Sequence, residues 1–210
     1  MAFPGSIKAK VCLVGEIAVG KTSLVRRFSQ GSFDEFYSTT LGISVSKKVV
    51  EPPNPPAGGP QRVEMILFDV MGQRNFRELL MESYFKGAQA LLAVWDVTRP
   101  ETLRELPGWI EMAQEIAGPI PVVIATNKVD LSSTRNIEAA ELDDLARESG
   151  SEWFTTSAKT GENVEAAFER LATELIRRTG SSPPRQASGS TSALDSLAKG
   201  MVEDSPKKPL

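Results

Sequence analysis

The chain has 210 residues, of which 40% are hydrophobic and 24% are charged, a composition that favours one globular domain. Its 24 basic and 27 acidic residues leave a formal net charge of −3, so no basic excess favours a nucleic-acid partner or a membrane surface. The lack of histidine excludes Ser-His-Asp triads and His-ligated metal sites. The single cysteine, Cys12, excludes an intrachain disulfide, and we expect a cytoplasmic protein.

Apolar runs alternate with helical patterns, which favours βαβ units and a largely parallel sheet. Six strands are predicted, over residues 7–14, 43–50, 62–69, 89–96, 120–126 and 153–156. About five helices are predicted, over residues 21–30, 101–116 with a division near Pro107, 137–149 and 162–178. Gly180 is predicted to cap the last helix.

Two segments depart from this pattern. Residues 51–60 contain five prolines, so the strands on either side are predicted to form an antiparallel hairpin with a long loop at 51–61. The loop is either a spacer or a docking segment for an aromatic groove. Residues 180–210 are rich in Ser, Pro and Gly and are predicted to be a disordered tail, in which 193–202 either stay solvated, the favoured interpretation, or form one or two helical turns when docked on a partner.

A glycine-rich loop follows the first predicted strand. Residues 15–22 read Gly-Glu-Ile-Ala-Val-Gly-Lys-Thr and fit G-x-x-x-x-G-K-[ST] between a strand and a helix. Backbone N–H groups of such a loop surround phosphates, the Lys21 ammonium approaches the β- and γ-phosphates, and the Thr22 hydroxyl binds Mg²⁺. The predicted phosphate-binding residues are Gly15, Glu16, Ile17, Ala18, Val19, Gly20, Lys21, Thr22 and Ser23.

The third predicted strand ends in an acidic residue near this loop. Asp69 follows an apolar run, where a second carboxylate for Mg²⁺ is expected. Gly72 can offer an unhindered backbone N–H to a γ-phosphate, and Gln73 can orient an attacking water. Alone, Asp69 reads as a strand-end cap and Gln73 as a surface residue; the phosphate-binding loop upstream favours the functional interpretation.

Two further loops follow the fifth and sixth strands, and both are predicted to lie on the ligand side of the sheet. The Asp130 carboxylate can accept hydrogen bonds from N1–H and the exocyclic amine of guanine, whereas adenine lacks this donor pair. The Lys128 stem can lie over the base, and the Ala158 N–H can donate to the guanine O6. The predicted guanine-binding residues are Asn127, Lys128, Asp130, Ser157, Ala158 and Lys159.

With these motifs in order, the chain resembles a small GTPase of the Ras superfamily, closest to the Rab family. Residues 37–42, Tyr-Ser-Thr-Thr-Leu-Gly, resemble the first switch, and residues 83–88 and 95–98 resemble Rab segments beyond the second switch. The resemblance covers about residues 5–179. It implies an α/β P-loop NTPase fold with a six-stranded, mostly parallel sheet, one antiparallel edge strand and about five flanking helices.

The resemblance also implies functional residues and partners. Thr40 matches the threonine that closes over Mg²⁺ and the γ-phosphate, Phe33 matches the aromatic that packs on guanine, and Tyr37 lies in the same nucleotide-contacting segment. The implied ligands are GTP or GDP with Mg²⁺. The implied partners are effectors, exchange factors and GTPase-activating proteins that bind the switch regions. Residues 1–179 are then the GTPase domain.

Two departures from the family pattern favour slow hydrolysis. Ile17 stands where relatives have glycine or a small or polar residue, and Met71 replaces a small residue before Gly72. A branched side chain at position 17 crowds the γ-phosphate and the attacking water; alternatively it points outward without effect. No cysteine follows Cys12, so no prenyl or palmitoyl anchor is expected and membrane association would be indirect.

The sequence therefore leaves two functions from different classes. The first is a switch that binds GTP and slowly hydrolyses it to GDP and phosphate, with Gln73, Lys21 and Thr40 in catalysis. The alternative is a GTP-locked binding module that hardly turns GTP over, which Ile17 and Met71 motivate. A P-loop ATPase or kinase is disfavoured by the Asp130 carboxylate.

Overall fold

A computed structural model of the chain describes residues 5–34, 43–55, 59–70, 81–131 and 139–181. Within these residues the strands form one six-stranded sheet. The strands are β1 Ser6–Val14, β2 Ile43–Val50, β3 Arg62–Val70, β4 Ala90–Asp96, β5 Val122–Asn127 and β6 Glu152–Thr155. Each strand begins and ends within two residues of its predicted bounds, so the strand predictions are confirmed.

The sheet has the order β2-β3-β1-β4-β5-β6. All neighbouring strands are parallel except the edge strand β2, which is antiparallel to β3. The predicted mostly parallel sheet with one antiparallel edge strand is therefore confirmed. Along β1 and β3 the register runs from Ser6 opposite Arg62 to Leu13 opposite Asp69, so the two strands end side by side.

Five helices flank the sheet in the described ranges. They are α1 Lys21–Gln30, α2 Glu101–Arg104, α3 Leu106–Ala117, α4 Ala139–Ser149 and α5 Val164–Ser181. The break between α2 and α3 lies next to Pro107, as predicted, because proline is tolerated in the first turn of a helix but not in its interior. None of the helices in the described part of the chain is long and apolar enough to cross a membrane.

Alternate side chains of the central strands fill two cores on opposite faces of the sheet. Val11 and Leu13 of β1 pack into the core under α1 and α5, where the rings of Phe28 and Phe168 stack at 3.9 Å. Cys12 packs into the core on the other face, which α3 and α4 cover, and it is fully buried. The interpretation of Cys12 as a small core residue is confirmed.

The predicted cap at Gly180 is wrong. Helix α5 continues through Gly180 to Ser181 instead of ending before it. A glycine inside a helix costs only about 1 kcal/mol relative to alanine, so it does not by itself stop a helix. The last turn has compensating contacts, because the Arg178 guanidinium donates a hydrogen bond to the Pro119 carbonyl and the Thr179 hydroxyl donates to the Leu175 carbonyl at 2.9 Å.

The hairpin of β2 and β3 has its connection at the amino-terminal edge of the parallel strands. Val50 lies opposite Val63, and Arg62 at the start of β3 lies opposite Ser6 at the start of β1. The Gln61 N–H donates to the Gly5 carbonyl at 2.7 Å, which fixes the end of the connection beside β1. The described ends of the proline-rich connection, residues 51–55 and 59–61, therefore lie at the amino-terminal edge of the parallel strands, opposite their carboxyl ends.

Candidate functional site

The carboxyl ends of the parallel strands bring the predicted functional residues to one edge of the sheet. The glycine-rich loop follows β1, Asp69 lies at the end of β3, and Asn127 ends β5. The strand order reverses at β1: β3 and β2 lie on one side of it, and β4, β5 and β6 lie on the other. Such a reversal opens a crevice outside the strand ends, which is where ligands bind in open α/β sheets.

Glycine is required at the start of the loop because the backbone of β4 passes close to it. Gly15 has φ 134°, and a Cβ at this position would lie 2.0 Å from the Val94 carbonyl oxygen. Further along, Ala18 and Gly20 have left-handed φ values of 62° and 99°. Residues of alternating handedness turn successive N–H groups toward one centre, which is the geometry of anion-binding loops.

The Lys21 ammonium is buried at the mouth of this loop. Its Nζ donates to the carbonyl oxygens of Gly15 and Glu16, each at 2.9 Å. Burial lowers the pKa of Lys21 to about 8, although the Asp69 and Glu16 carboxylates act in the opposite direction. A buried cation held by neutral carbonyl groups gains stability from an anion, so this position favours a phosphate ligand.

Thr22 and Asp69 form the second part of the site. The Thr22 hydroxyl donates to Asp69 Oδ2 at 2.5 Å. Asp69 Oδ1 is buried and has no hydrogen-bond partner among the residues that the structure describes. Burial raises the pKa of Asp69, while the Thr22 hydrogen bond and the charge of Lys21 lower it. A buried carboxylate with an unpartnered oxygen beside a hydroxyl fits Mg²⁺, which prefers oxygen ligands and takes few from the protein.

Asn127 joins the phosphate loop to the predicted guanine-binding loops. Its side-chain Nδ2 donates to the Val19 carbonyl at 2.8 Å, and its Oδ1 accepts from the Ala158 N–H at 3.3 Å. A Cβ at Gly20 would lie 2.3 Å from the same Nδ2, so a side chain there would displace this amide. The fully buried Asn127 side chain therefore holds the two ends of the site at a fixed separation.

Asp130 lies on a short 3-10 turn just after β5, and Ser157 orients it. The Ser157 hydroxyl donates to Asp130 Oδ1 at 2.5 Å. The Thr156 N–H donates to the Thr126 carbonyl at 2.7 Å, and this bond fixes the loop of Ser157 beside β5. A carboxylate so placed, with a backbone N–H at Ala158 nearby, can recognise a base that offers two donors and one acceptor.

Residues 10–177 match the family model described as "Ras family". The chain is 35% identical to "Ras-related protein Rab-30" of Homo sapiens over 168 residues, which cover 80% of this chain and 79% of that protein. It is 31% identical to "Ras-related protein Rab-13" of Mesocricetus auratus over 172 residues, or 81% of each chain. It is 36% identical to "Ras-related protein Rab-37" of Mus musculus over 179 residues, 84% of this chain and 77% of that one. The chain belongs to the Ras family.

Within the Ras family the chain is a Rab-like small GTPase, which confirms the resemblance drawn from its motifs. This membership supports a GTP-binding switch GTPase in general terms. The six-stranded sheet with one antiparallel strand agrees with the same fold.

Several predicted site residues of this Ras-family chain lie outside the described residues. They are Tyr37, Thr40, Met71, Gly72 and Gln73. Phe33 is described, and its ring packs partly buried against the core under α1 and α5. Its predicted contact with guanine stays a prediction, as do the roles of the residues outside the described ranges.

Arg27 is a site residue of this Rab-like chain that sequence reasoning missed. Its guanidinium donates from Nε to the Ala158 carbonyl at 2.7 Å, from Nη2 to the Lys159 carbonyl at 2.5 Å and from Nη1 to the Gly31 carbonyl at 3.0 Å. One side chain of α1 therefore holds the loop after β6 in place. No pattern signals it, because its acceptors are backbone carbonyls, two of them distant in sequence.

Asp96 is a second missed residue of the Ras-family site. Lys128 has a left-handed backbone, with φ 67°, and its Nζ lies 2.7 Å from Asp96 Oδ2. Asp96 is buried at the end of β4. The contact fixes the ammonium of Lys128, so that the stem of this side chain has a defined course beside the guanine-binding loop. The only signal in the sequence is the acidic residue at the end of an apolar strand.

Proposed function

We propose that this chain is a molecular switch that binds GTP or GDP with Mg²⁺ and slowly hydrolyses GTP to GDP and phosphate. GTP orders the two switch segments for effector binding, and hydrolysis releases them. The observation that supports this function is the convergence, at one edge of the sheet, of a buried phosphate-loop lysine, the Thr22–Asp69 pair and a base-selective carboxylate at Asp130. Family membership supports the same class of activity.

In the proposed reaction the protein positions its substrate and stabilises charge, and no covalent intermediate forms. Lys21 and the amides of residues 15–22 bind the phosphates. Gln73 orients the attacking water, and Gly72 donates its N–H to the γ-phosphate. Thr22, Thr40 and Asp69 hold Mg²⁺. The metal ion, when bound, neutralises charge that develops on the phosphate oxygens.

Selection of guanine is assigned to the loops after β5 and β6. Asp130 accepts from N1–H and the exocyclic amine, and Ala158 donates to O6. The contact of Asn127 Nδ2 with the Val19 carbonyl supports this role, because it holds the residue that ends β5 at a fixed distance from the phosphate loop. An adenine nucleotide would leave the Asp130 carboxylate without its donor pair.

Slow turnover is proposed on account of Ile17. The Ile17 side chain is 36% exposed, so it projects from the loop and does not contribute to a core. A branched apolar group on the phosphate loop can crowd the attacking water and obstruct the arginine of an activating protein, a contribution worth about 10³–10⁵ in rate in other GTPases. The alternative is a GTP-locked binding module, which the same residue favours.

Replacing Ile17 with glycine is expected to raise the single-turnover rate of GTP hydrolysis by about three- to tenfold, because space is opened for water. The measurement is the conversion of protein-bound GTP to GDP over time. Ile17→Leu is the matched control, since it keeps an apolar side chain of equal size and is expected to keep the slow rate. An unchanged rate in Ile17→Gly contradicts the proposed crowding.

The proposed function is tested by loading the purified full chain with GTP and Mg²⁺ and following the bound nucleotide by chromatography over hours. Conversion to bound GDP above the rate without protein supports a switch. Retained GTP supports the GTP-locked module instead. Strong competition by ATP for the same site would contradict guanine selection and would favour a P-loop ATPase instead. Gln73→Leu serves as the control for hydrolysis, because it keeps the size of the side chain but cannot orient water.

The proposed function also involves partner proteins. Effectors, exchange factors and activating proteins are proposed to bind through the switch segments. The GTPase domain is proposed to comprise residues 1–181, two residues more than the predicted 1–179 because helix α5 includes Gly180 and Ser181, with a hairpin loop at 51–61. A cytoplasmic location is proposed as well.

A further inference from the structure

Arg99, in the turn between β4 and α2, contacts the phosphate loop directly. Its Nη2 donates to the Ile17 carbonyl at 2.8 Å, and its Nε donates to Asp96 Oδ2 at 3.1 Å. The two nitrogens of one planar group therefore reach acceptors in two segments 79 residues apart in sequence, Ile17 and Asp96. This fork of donors is a property of the guanidinium that a single ammonium nitrogen lacks.

The Asp96 carboxylate, which accepts the hydrogen bond from Arg99, is fixed by further contacts. Asp96 is 1% exposed, and its Oδ1 accepts from the Thr98 N–H at 2.9 Å and from the Thr98 hydroxyl at 2.6 Å. Its Oδ2 accepts from Arg99 and also lies 2.7 Å from Lys128 Nζ. Burial alone would raise the pKa of Asp96, but the hydrogen bonds from Lys128 and Thr98 lower it below the ordinary value. Asp96 is therefore a charged, fixed anchor.

These contacts form a continuous link across the site. It runs from the Ile17 carbonyl to Arg99, from Arg99 to Asp96 Oδ2, and from the same oxygen to Lys128. Ile17 belongs to the phosphate side and Lys128 to the guanine side. The link is separate from the one that Asn127 makes to Val19.

We propose that Arg99 is a positioning residue that couples the phosphate loop to the guanine-binding loop and thereby slows the release of bound nucleotide. The inference rests on the proposed function, since it concerns the same site. A loop held in its binding geometry loses less conformational freedom when nucleotide binds, and its contacts with the ligand break less often. Charge-assisted hydrogen bonds to a buried carboxylate are stronger than neutral ones, although Arg99 is itself 34% exposed and the effect is correspondingly moderate.

The test measures the release of a fluorescent GDP analogue from the full chain in excess unlabelled GDP. Arg99→Ala is expected to release the nucleotide about five- to tenfold faster than the natural chain. Arg99→Lys keeps the charge but not the fork, and its rate is expected to lie between those of the natural chain and Arg99→Ala. The matched control is Arg104→Ala, which removes an exposed arginine from the adjacent helix α2 and is expected to leave release unchanged.

A double-mutant cycle with Asp96 tests the route of the coupling. Asp96→Asn is expected to speed release, and adding Arg99→Ala to it is expected to add little, because Arg99 acts through Asp96. Purely additive effects on the release rate would overturn the proposal. It would also be overturned if Arg99→Ala only lowered the melting temperature of the nucleotide-free chain while release stayed at the natural rate, or if Arg99→Lys restored the natural rate in full. Failure of the natural chain to bind the GDP analogue would instead reject the proposed function itself.

Discussion

Replacing Asp130 with asparagine is expected to lower the affinity for GDP by roughly a hundredfold or more and to raise the affinity for xanthosine diphosphate. The Ser157 hydroxyl donates to Asp130 Oδ1, and it can go on donating to the amide oxygen of an asparagine. The amide NH₂ would then face the base, where guanine presents donors of its own and xanthine presents a carbonyl oxygen. The measurement is the dissociation constant of each diphosphate by equilibrium titration.

The matched control for this specificity change is Asp144→Asn. Asp144 lies on α4, is largely exposed and pairs with Arg147 at 2.8 Å, away from the strand ends. Its replacement removes the same charge and is expected to leave both affinities unchanged. A variant at Asp130 that kept the natural preference for guanine would show that another group selects the base.

Replacing Gly15 with alanine is expected to lower the free energy of unfolding by about 3–5 kcal/mol, a large part of the stability of a typical domain. The new Cβ would lie 2.0 Å from the Val94 carbonyl oxygen, which belongs to the backbone of the buried strand β4 and cannot swing aside. The φ of 134° adds a further cost for any L-residue with a side chain. The measurement is denaturant unfolding at a fixed concentration of GDP and Mg²⁺.

Gly31→Ala serves as the control, because it tests the cost of a left-handed backbone without the steric contact with Val94. Gly31 caps α1 with φ 66°, and a Cβ there would meet nothing within 4 Å. Its replacement is expected to cost only about 1–2 kcal/mol, the ordinary penalty for a left-handed residue. Equal losses of stability in the two variants would mean that the contact with Val94 is relieved by movement of the strand.

The strands and the helices around them could be predicted from the sequence because their apolar patterns are strong and local. β1 ends in the apolar residues 11–14 with a glycine directly after them, and α3 begins beside Pro107, where a helix can start. The end of α5 could not be predicted from Gly180, because a glycine does not by itself stop a helix and the last turn also contacts Pro119, which is far away in sequence.

The candidate site could be predicted as far as it is encoded in short motifs. Lys21 and Thr22 begin α1, Asp69 lies at the end of β3, and Asn127 and Asp130 lie at the end of β5 and in the turn just after it, so the fold brings all five together. The residues that orient them could not be predicted.

Arg27 and Arg99 show why the residues that orient the site cannot be recognised from the sequence. Arg27 donates to carbonyls at Ala158 and Lys159, more than a hundred residues away along the chain, and Arg99 donates to the carbonyl of Ile17. A backbone carbonyl is present in every residue, so neither end of such a bond leaves a recognisable pattern. Only the three-dimensional packing of the strand ends determines which carbonyl is in reach.

The two edges of the sheet carry different parts of the chain. The phosphate and guanine loops lie at the carboxyl ends of the strands, whereas the proline-rich connection between β2 and β3 lies at the amino ends, fixed beside β1 through Gln61 and Gly5. The amino ends lie at the edge of the sheet opposite the strand ends where the nucleotide is proposed to bind. A change in the length of this connection is therefore expected to leave nucleotide binding unaffected.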